Sequence, residues 1–210
     1  LETEMLLLRR HEKDFLARKD LKYQEKFNAT LQQTLAHVDE LQKDLADHNI
    51  DAGTMQDLNN QFQKYGEMFN QLIGMQQKIG LHSKDGYYGT LRAAVHDAES
   101  QIKALNDYQL LAGMLQLRRN EKDFMLRRDM KYVDKLTNNL AKLLVQVDNS
   151  PHLPAATIGL TKALKQYEAD FQKLVTLEKD LGLSHKDGIL GELRETIHQT
   201  ETQLTQTKEI

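Results

Sequence analysis

Two short charged runs carry the residues most able to do chemistry. Leu-Arg-Arg-His-Glu-Lys-Asp-Phe at 8–15 places Arg9, Arg10 and Lys13 close together, and it returns at 117–124 with Arg118, Arg119 and Lys122. A guanidinium presents a planar fork of donors that matches a carboxylate and stays charged when desolvated. Stepping back at roughly 100° per residue from Leu31, at the centre of an apolar stripe, puts Leu6, Arg9, Lys13, Ala17 and Asp20 on the core-facing side. Arg10 and Leu16 fall at its shoulders, although a coiled-coil period would centre Arg10 instead, and periodicity leaves Arg9 and Arg10 as alternatives. Leu8, Phe15, Leu117 and Phe124 are expected on the opposite side of their helices. Arg92 and Arg194 sit beside core leucines of later segments and can reach the same space. A buried guanidinium must find an anion. Glu12, Asp14, Asp20 and their repeats are one source. A ligand carrying two or more carboxylates is the other.

The elements that must position these residues repeat. The first motif recurs at an offset of 109 residues, and a second, Gly80-Leu81 to Gly86 with Gly182-Leu183 to Gly188, recurs at 102. The difference of seven residues, about two helical turns, is absorbed before Tyr65 and Tyr167. The chain therefore reads as a tandem duplication. Each copy shows a long helical stripe, a break (Asp47-His48-Asn49, or Asp148 to Pro151), a second helix ended by Gly80 or Gly182, and a third helix. At Asn106-Asp107 the chain is expected to turn, with Asp107 capping the next helix.

These patterns predict an all-α fold of two stacked four-helix-bundle modules, built from two long and four short helices as one bimodular domain. The membrane-proximal module covers about 1–24, 87–132 and 188–210, and the membrane-distal one about 25–80 and 133–182.

Composition narrows the function. With 210 residues, 40% apolar and 28% charged, the chain can bury a sizeable core. A net charge of −3 lacks the basic excess of a nucleic-acid binder. There is no cysteine, which removes disulfides and thiolate chemistry, and only Pro151 and Pro154 interrupt helix formation. Glu195-Thr196-Ile197-His198 has the Glu-x-x-His spacing of carboxylate metal sites, but the other copy has Ala93 in place of the glutamate, so no metal and no cofactor is expected. No nucleophile–base pair is suggestively spaced, and no enzyme activity is expected. Helical periodicity begins almost at Leu1 and runs towards Ile210 with no stop signal, as in a piece lying between two membrane spans.

The two motif pairs, Leu-Arg-Arg-x-Glu-Lys-Asp-Phe-x-x-Arg-x-Asp-x-Lys-Tyr at 8–23 and 117–132 and Gly-Leu-x-x-x-x-Gly-x-x-Gly-x-Leu-Arg at 80–92 and 182–194, resemble the helical bimodular sensor domain of bacterial methyl-accepting chemotaxis receptors. The resemblance implies a periplasmic domain held between membrane spans and working as a homodimer in the full receptor. It also implies that organic acids such as tricarboxylic-acid-cycle intermediates bind through arginines of the membrane-proximal module. Arg9 or Arg10, Arg118 or Arg119, and Arg194 are the ligand arginines it implies, and Arg92, by its place beside the core leucines, is expected to help close the pocket. The same domain in a sensor histidine kinase, and a structural bundle with internally paired arginines, are the alternatives.

Overall fold

A computed structural model describes residues 1–207, so the last residues of the expected C-terminal helix, 208–210, lie outside the described part. The fold is all-α, with no strand among the described residues. In chain order the helices are α1 (Glu2–Arg18), α2 (Lys22–Asp47), α3 (Gly53–Ile79), α4 (Gly86–Ala104), α5 (Tyr108–Arg127), α6 (Lys131–Asp148), α7 (Pro154–Leu181) and α8 (Gly188–Gln206).

The two expected long helices are absent. Each is cut into two, at Lys19–Leu21 and at Arg128–Met130, and the helix count rises from six to eight. Lys19 (φ 51°) and Arg128 (φ 53°) adopt the left-handed conformation, and each amide closes the preceding helix on a phenylalanine carbonyl, Phe15 or Phe124. Asp20 and Asp129 then accept the amide hydrogens of Lys22 and Lys131, an Asx turn that opens the next helix. The chain folds back: Glu4, near the start of α1, meets His37, well along α2, at 2.5 Å.

This reversal also moves the buried face. Counting backwards from Leu31 assumes one unbroken helix, and the turn at Lys19 resets the phase. Met5, Leu8, Glu12 and Phe15 are the buried residues of α1, whereas Leu6 is 71% exposed and Lys13 and Ala17 face water. Leu8, Phe15, Leu117 and Phe124 lie in the core, contrary to expectation.

Other boundaries fall where the sequence placed them. Asp107 caps α5, its Oδ1 accepting the Gln109 and Leu110 amides, so the chain turns at Asn106-Asp107. After α2, Asn49 takes φ 59°, and the amides of Asn49 and Ile50 return to the carbonyls of Ala46 and Leu45, a Schellman stop. Gly80 (φ 131°) and Gly182 (φ 125°) follow α3 and α7. At Gly86 (φ 51°) a Cβ would lie 2.5 Å from the Lys78 carbonyl oxygen, so no side chain fits there.

The chain divides into two compact units, Leu1–Gln76 with the chain from Ser184 on, and Gln77–Leu183. With the helices folded back, residues 1–24 no longer share a unit with 87–132, as the sequence reading had them. The first unit holds α1, α2, nearly all of α3, and α8. Contacts fix their directions: α2 runs against α1 (Glu4–His37), α3 against α2 (Asp39–Asn59 and Gln24–Asn70), and α8 against α1 (Arg9–Glu201). Its core is aromatic: Phe27 stacks tilted on Phe69 at 4.2 Å and edge-on to Tyr65 at 5.1 Å, while Phe15 meets Phe69 edge-on at 5.8 Å. Burying each such ring stabilises the fold by about 1.5–3 kcal/mol.

The second unit holds α4, α5, α6 and α7. There α4 runs against α7 (Tyr88–Glu178), and α5 lies parallel to α7, with Phe124 edge-on to Phe171 at 5.7 Å and Tyr167 bonded to Glu121. Thus α4, which continues the first copy in sequence, closes the second unit, and α8 closes the first.

Candidate functional site: an inward arginine beside a cationic cavity

Arg9 projects from α1 towards α8. Its Nη1 donates to Glu201 Oε1 at 2.8 Å, and its Nε lies 3.7 Å from Glu12 Oε2. Glu12 is almost wholly buried and accepts the Tyr65 hydroxyl at 2.5 Å, with Lys13 Nζ 3.9 Å from its other oxygen. Burial pushes the Glu12 carboxyl above the usual carboxylate range, opposed by the Tyr65 hydrogen bond and by Lys13 and Arg9. Burial and the neighbouring Glu12 charge in turn raise the Tyr65 phenol well above its ordinary value. Helical spacing explains the cluster: Arg9, Glu12 and Lys13 lie within one turn, and Tyr65 comes from α3, one turn before Phe69.

The second unit repeats this arrangement with matching residues. Arg118 Nη1 donates to Glu99 at 3.4 Å, its Nε lies 3.6 Å from Glu121, and Glu121 accepts the Tyr167 hydroxyl at 2.6 Å. In both units the arginine Nε is shielded from solvent yet has no hydrogen-bond acceptor.

A cavity of about 280 Å³ opens beside Arg9 in the first unit, between α1 and the start of α8. Arg9, Glu12 and Lys13 line one wall; Arg194, His185 and His198 line the other, over an apolar floor that includes Leu193 and Ile197. Three cations line this space with one carboxylate, Glu12, whose ionisation is disfavoured by burial, while Glu201 pairs with Arg9 from outside the lining. Such a space attracts an anion. Arg194 is exposed, and its Nε approaches His198 at 3.5 Å.

Of the six arginines singled out from sequence, the structure brings Arg9 and Arg194 to this cavity. Arg10 also belongs to the first unit but points outward, 75% exposed, and among the described residues its nearest carboxylate is Asp14, at 3.9 Å. Arg118 faces inward in the second unit, where Arg119 and Arg92 are exposed. Between the alternatives left by periodicity, Arg9 and Arg118 are the inward residues. Sequence reasoning missed Glu201 and Glu99 as their partners, and Tyr65 and Tyr167 as the donors to Glu12 and Glu121. The signal was present, because all four recur between the two copies.

A second charged cluster lies in the second unit. Buried Glu178 receives Arg128 Nη2 at 2.5 Å and the Tyr88 hydroxyl at 2.7 Å, and Arg128 also donates to the Gly182 and Leu183 carbonyls. Arg128 thereby ties the end of α7 to the α5–α6 turn. Both Glu178 oxygens, the Tyr88 hydroxyl and Arg128 Nε and Nη2 meet partners inside the protein, so it reads as a structural clasp.

No helix among the described residues is long and apolar enough to cross a membrane. Comparison with protein-family models finds none that matches, and comparison with curated proteins finds no match either.

Proposed function

We propose that the chain is the ligand-binding sensor domain of a transmembrane chemoreceptor, periplasmic and dimeric in the full receptor, and that it recognises small di- or tricarboxylic acids. The observation that carries this reading is the cavity beside Arg9, where Arg9, Lys13 and Arg194 surround a space of about 280 Å³ and the Arg9 Nε lacks an acceptor. A carboxylate entering there would satisfy that donor with a charge-assisted bond. The ligand would bridge α1 and α8, and a shift of α8 against α1 is the motion that an attached membrane span would relay. The repeated motifs support the same reading, as does the repetition of the arginine–glutamate–tyrosine cluster, which suits a duplicated four-helix module.

The test is a thermal-shift screen with succinate, malate, citrate and related acids. A ligand at about 100 times its Kd stabilises by about 2.7 kcal/mol, or roughly 5–10 °C for a domain of this size. Arg194→Ala should remove the shift without lowering the ligand-free melting temperature, since Arg194 is exposed. No shift with any di- or tricarboxylate would refute the proposal.

One observation favours a second reading, a purely structural bundle. Each inward arginine already lies within 4 Å of two glutamates, Glu12 and Glu201 for Arg9, Glu121 and Glu99 for Arg118. In that case Arg9→Ala would strand the buried Glu12 and lower stability by about 3–5 kcal/mol with no ligand effect.

A further inference from the structure

The two glutamates beside Arg9 are not equivalent. Glu12 has a side chain 3% exposed and is held by Tyr65, whereas the Glu201 side chain is 44% exposed and holds Arg9 by a single 2.8 Å bond. Only Glu201 can leave Arg9 without stranding a buried charge, because it can swing into water. Its head group, a carboxylate on a short aliphatic stem, is also what a short aliphatic acid presents.

We propose that Glu201 is a tethered competitor for the ligand. Its carboxylate occupies Arg9 in the ligand-free state, and an incoming carboxylate must displace it. This rests on the acid-binding reading above and adds a threshold that every acid must overcome to bind. An intramolecular competitor acts at an effective concentration of about millimolar or above, so an acid with one carboxylate merely exchanges like for like. A second carboxylate gains contacts that Glu201 never makes, with Arg194 and Lys13 on the cavity walls. The site therefore selects dicarboxylates over monocarboxylates of similar length. Displacement also moves the link between α1 and α8 from Glu201 to Arg194, seven residues or about two turns towards the start of α8. The Arg118–Glu99 pair of the second unit, at 3.4 Å, differs in that the Glu99 side chain is only 17% exposed and has no such exit into water.

The experiment is titration calorimetry with succinate and butyrate on the unaltered chain, Glu201→Gln and Glu195→Gln. Glu195 is exposed on the same helix and does not line the cavity. Glu201→Gln should bind succinate about tenfold more tightly, and butyrate binding should rise by the same factor, because both acids displace the same competitor and the diacid preference comes from Arg194 and Lys13. Glu195→Gln should match the unaltered chain. Glu201→Asp, one methylene short of Arg9, guards against a folding defect in the glutamine variant and should fall between the two. Equal or weaker succinate binding by both Glu201 variants, while the unaltered chain binds it, would overturn the tethered-competitor proposal alone. Failure of every variant to bind succinate, malate or citrate would overturn the acid-binding reading and this proposal with it.

Discussion

Replacing Tyr65 by phenylalanine removes one oxygen from the centre of the first unit. Tyr65 is fully buried, and its hydroxyl is the donor that Glu12 meets at 2.5 Å. The remaining cations near Glu12, Arg9 Nε at 3.7 Å and Lys13 Nζ at 3.9 Å, stand beyond hydrogen-bond distance. A hydrogen bond to a charged group contributes about 1.5–3 kcal/mol, which for a domain of this size lowers the melting temperature by roughly 3–12 °C. The loss should depend on pH in a definite direction. Burial already raises the Glu12 carboxyl above its unfolded value, while the Tyr65 hydrogen bond holds it down. The folded chain therefore keeps this proton to a higher pH than the unfolded chain does. That contribution is complete below the unfolded carboxylate range and is lost as pH rises through the folded value. Without the phenol the Glu12 carboxyl rises further, so Tyr65→Phe should be most destabilising at pH 7 and approach the unaltered chain near pH 4.5. Calorimetric melts at the two pH values measure it. An equal deficit at both, or a larger one in acid, would refute the argument that Tyr65 serves the ionised form of Glu12.

Other outcomes follow from individual contacts. Arg128→Ala should cost about 3 kcal/mol or more in urea unfolding, because it leaves the buried Glu178 carboxylate with Tyr88 but no cation. Gly86→Ala forces a Cβ against the Lys78 carbonyl at positive φ and should lower stability by about 1–3 kcal/mol, with Gly74→Ala, which meets nothing within 4 Å, as the tolerated control. Asp107→Ala should cost about 1 kcal/mol as a lost cap. The hydrogen bond from His152 and the Leu110 and Gln109 amides hold the Asp107 carboxyl below its usual value. Its contribution is therefore present above the ordinary carboxylate range and fades as pH falls through the lowered folded value, which acid titration of the variant against the unaltered chain checks.

Much of the fold was legible because its signals are local. Apolar spacing marked the helices, Gly80 and Gly182 marked the stops after α3 and α7, and Asp107 marked its own cap. The reversals at Lys19 and Arg128 were not legible in the same way. Their left-handed residues are a lysine and an arginine, where glycine or asparagine would have announced the turn, and the one local sign is an aspartate two residues before a lysine. Missing those turns carried the helical phase past a break, which put Leu6 inside and Phe15 outside. Arg9 survived the error because a polar residue near the core edge is attractive on either phase. Its partner Glu201 lies 192 residues away, and Tyr65, which holds Glu12 beside it, lies 53 residues from Glu12; only the tertiary fold brings them together.

The crossing of the fourth helices has a kinetic consequence. All four helices of the second unit lie between Gln77 and Leu183, so that unit is complete while the chain is still short of its end. The first unit begins at Leu1 but lacks α8 until the chain has passed Gly188. During synthesis at about 5–20 residues per second, α1, α2 and α3 must wait several seconds with an open aromatic face. The order of folding therefore departs from the order of translation: α4 to α7 close first, and α1 to α3, though made earlier, close only when α8 arrives.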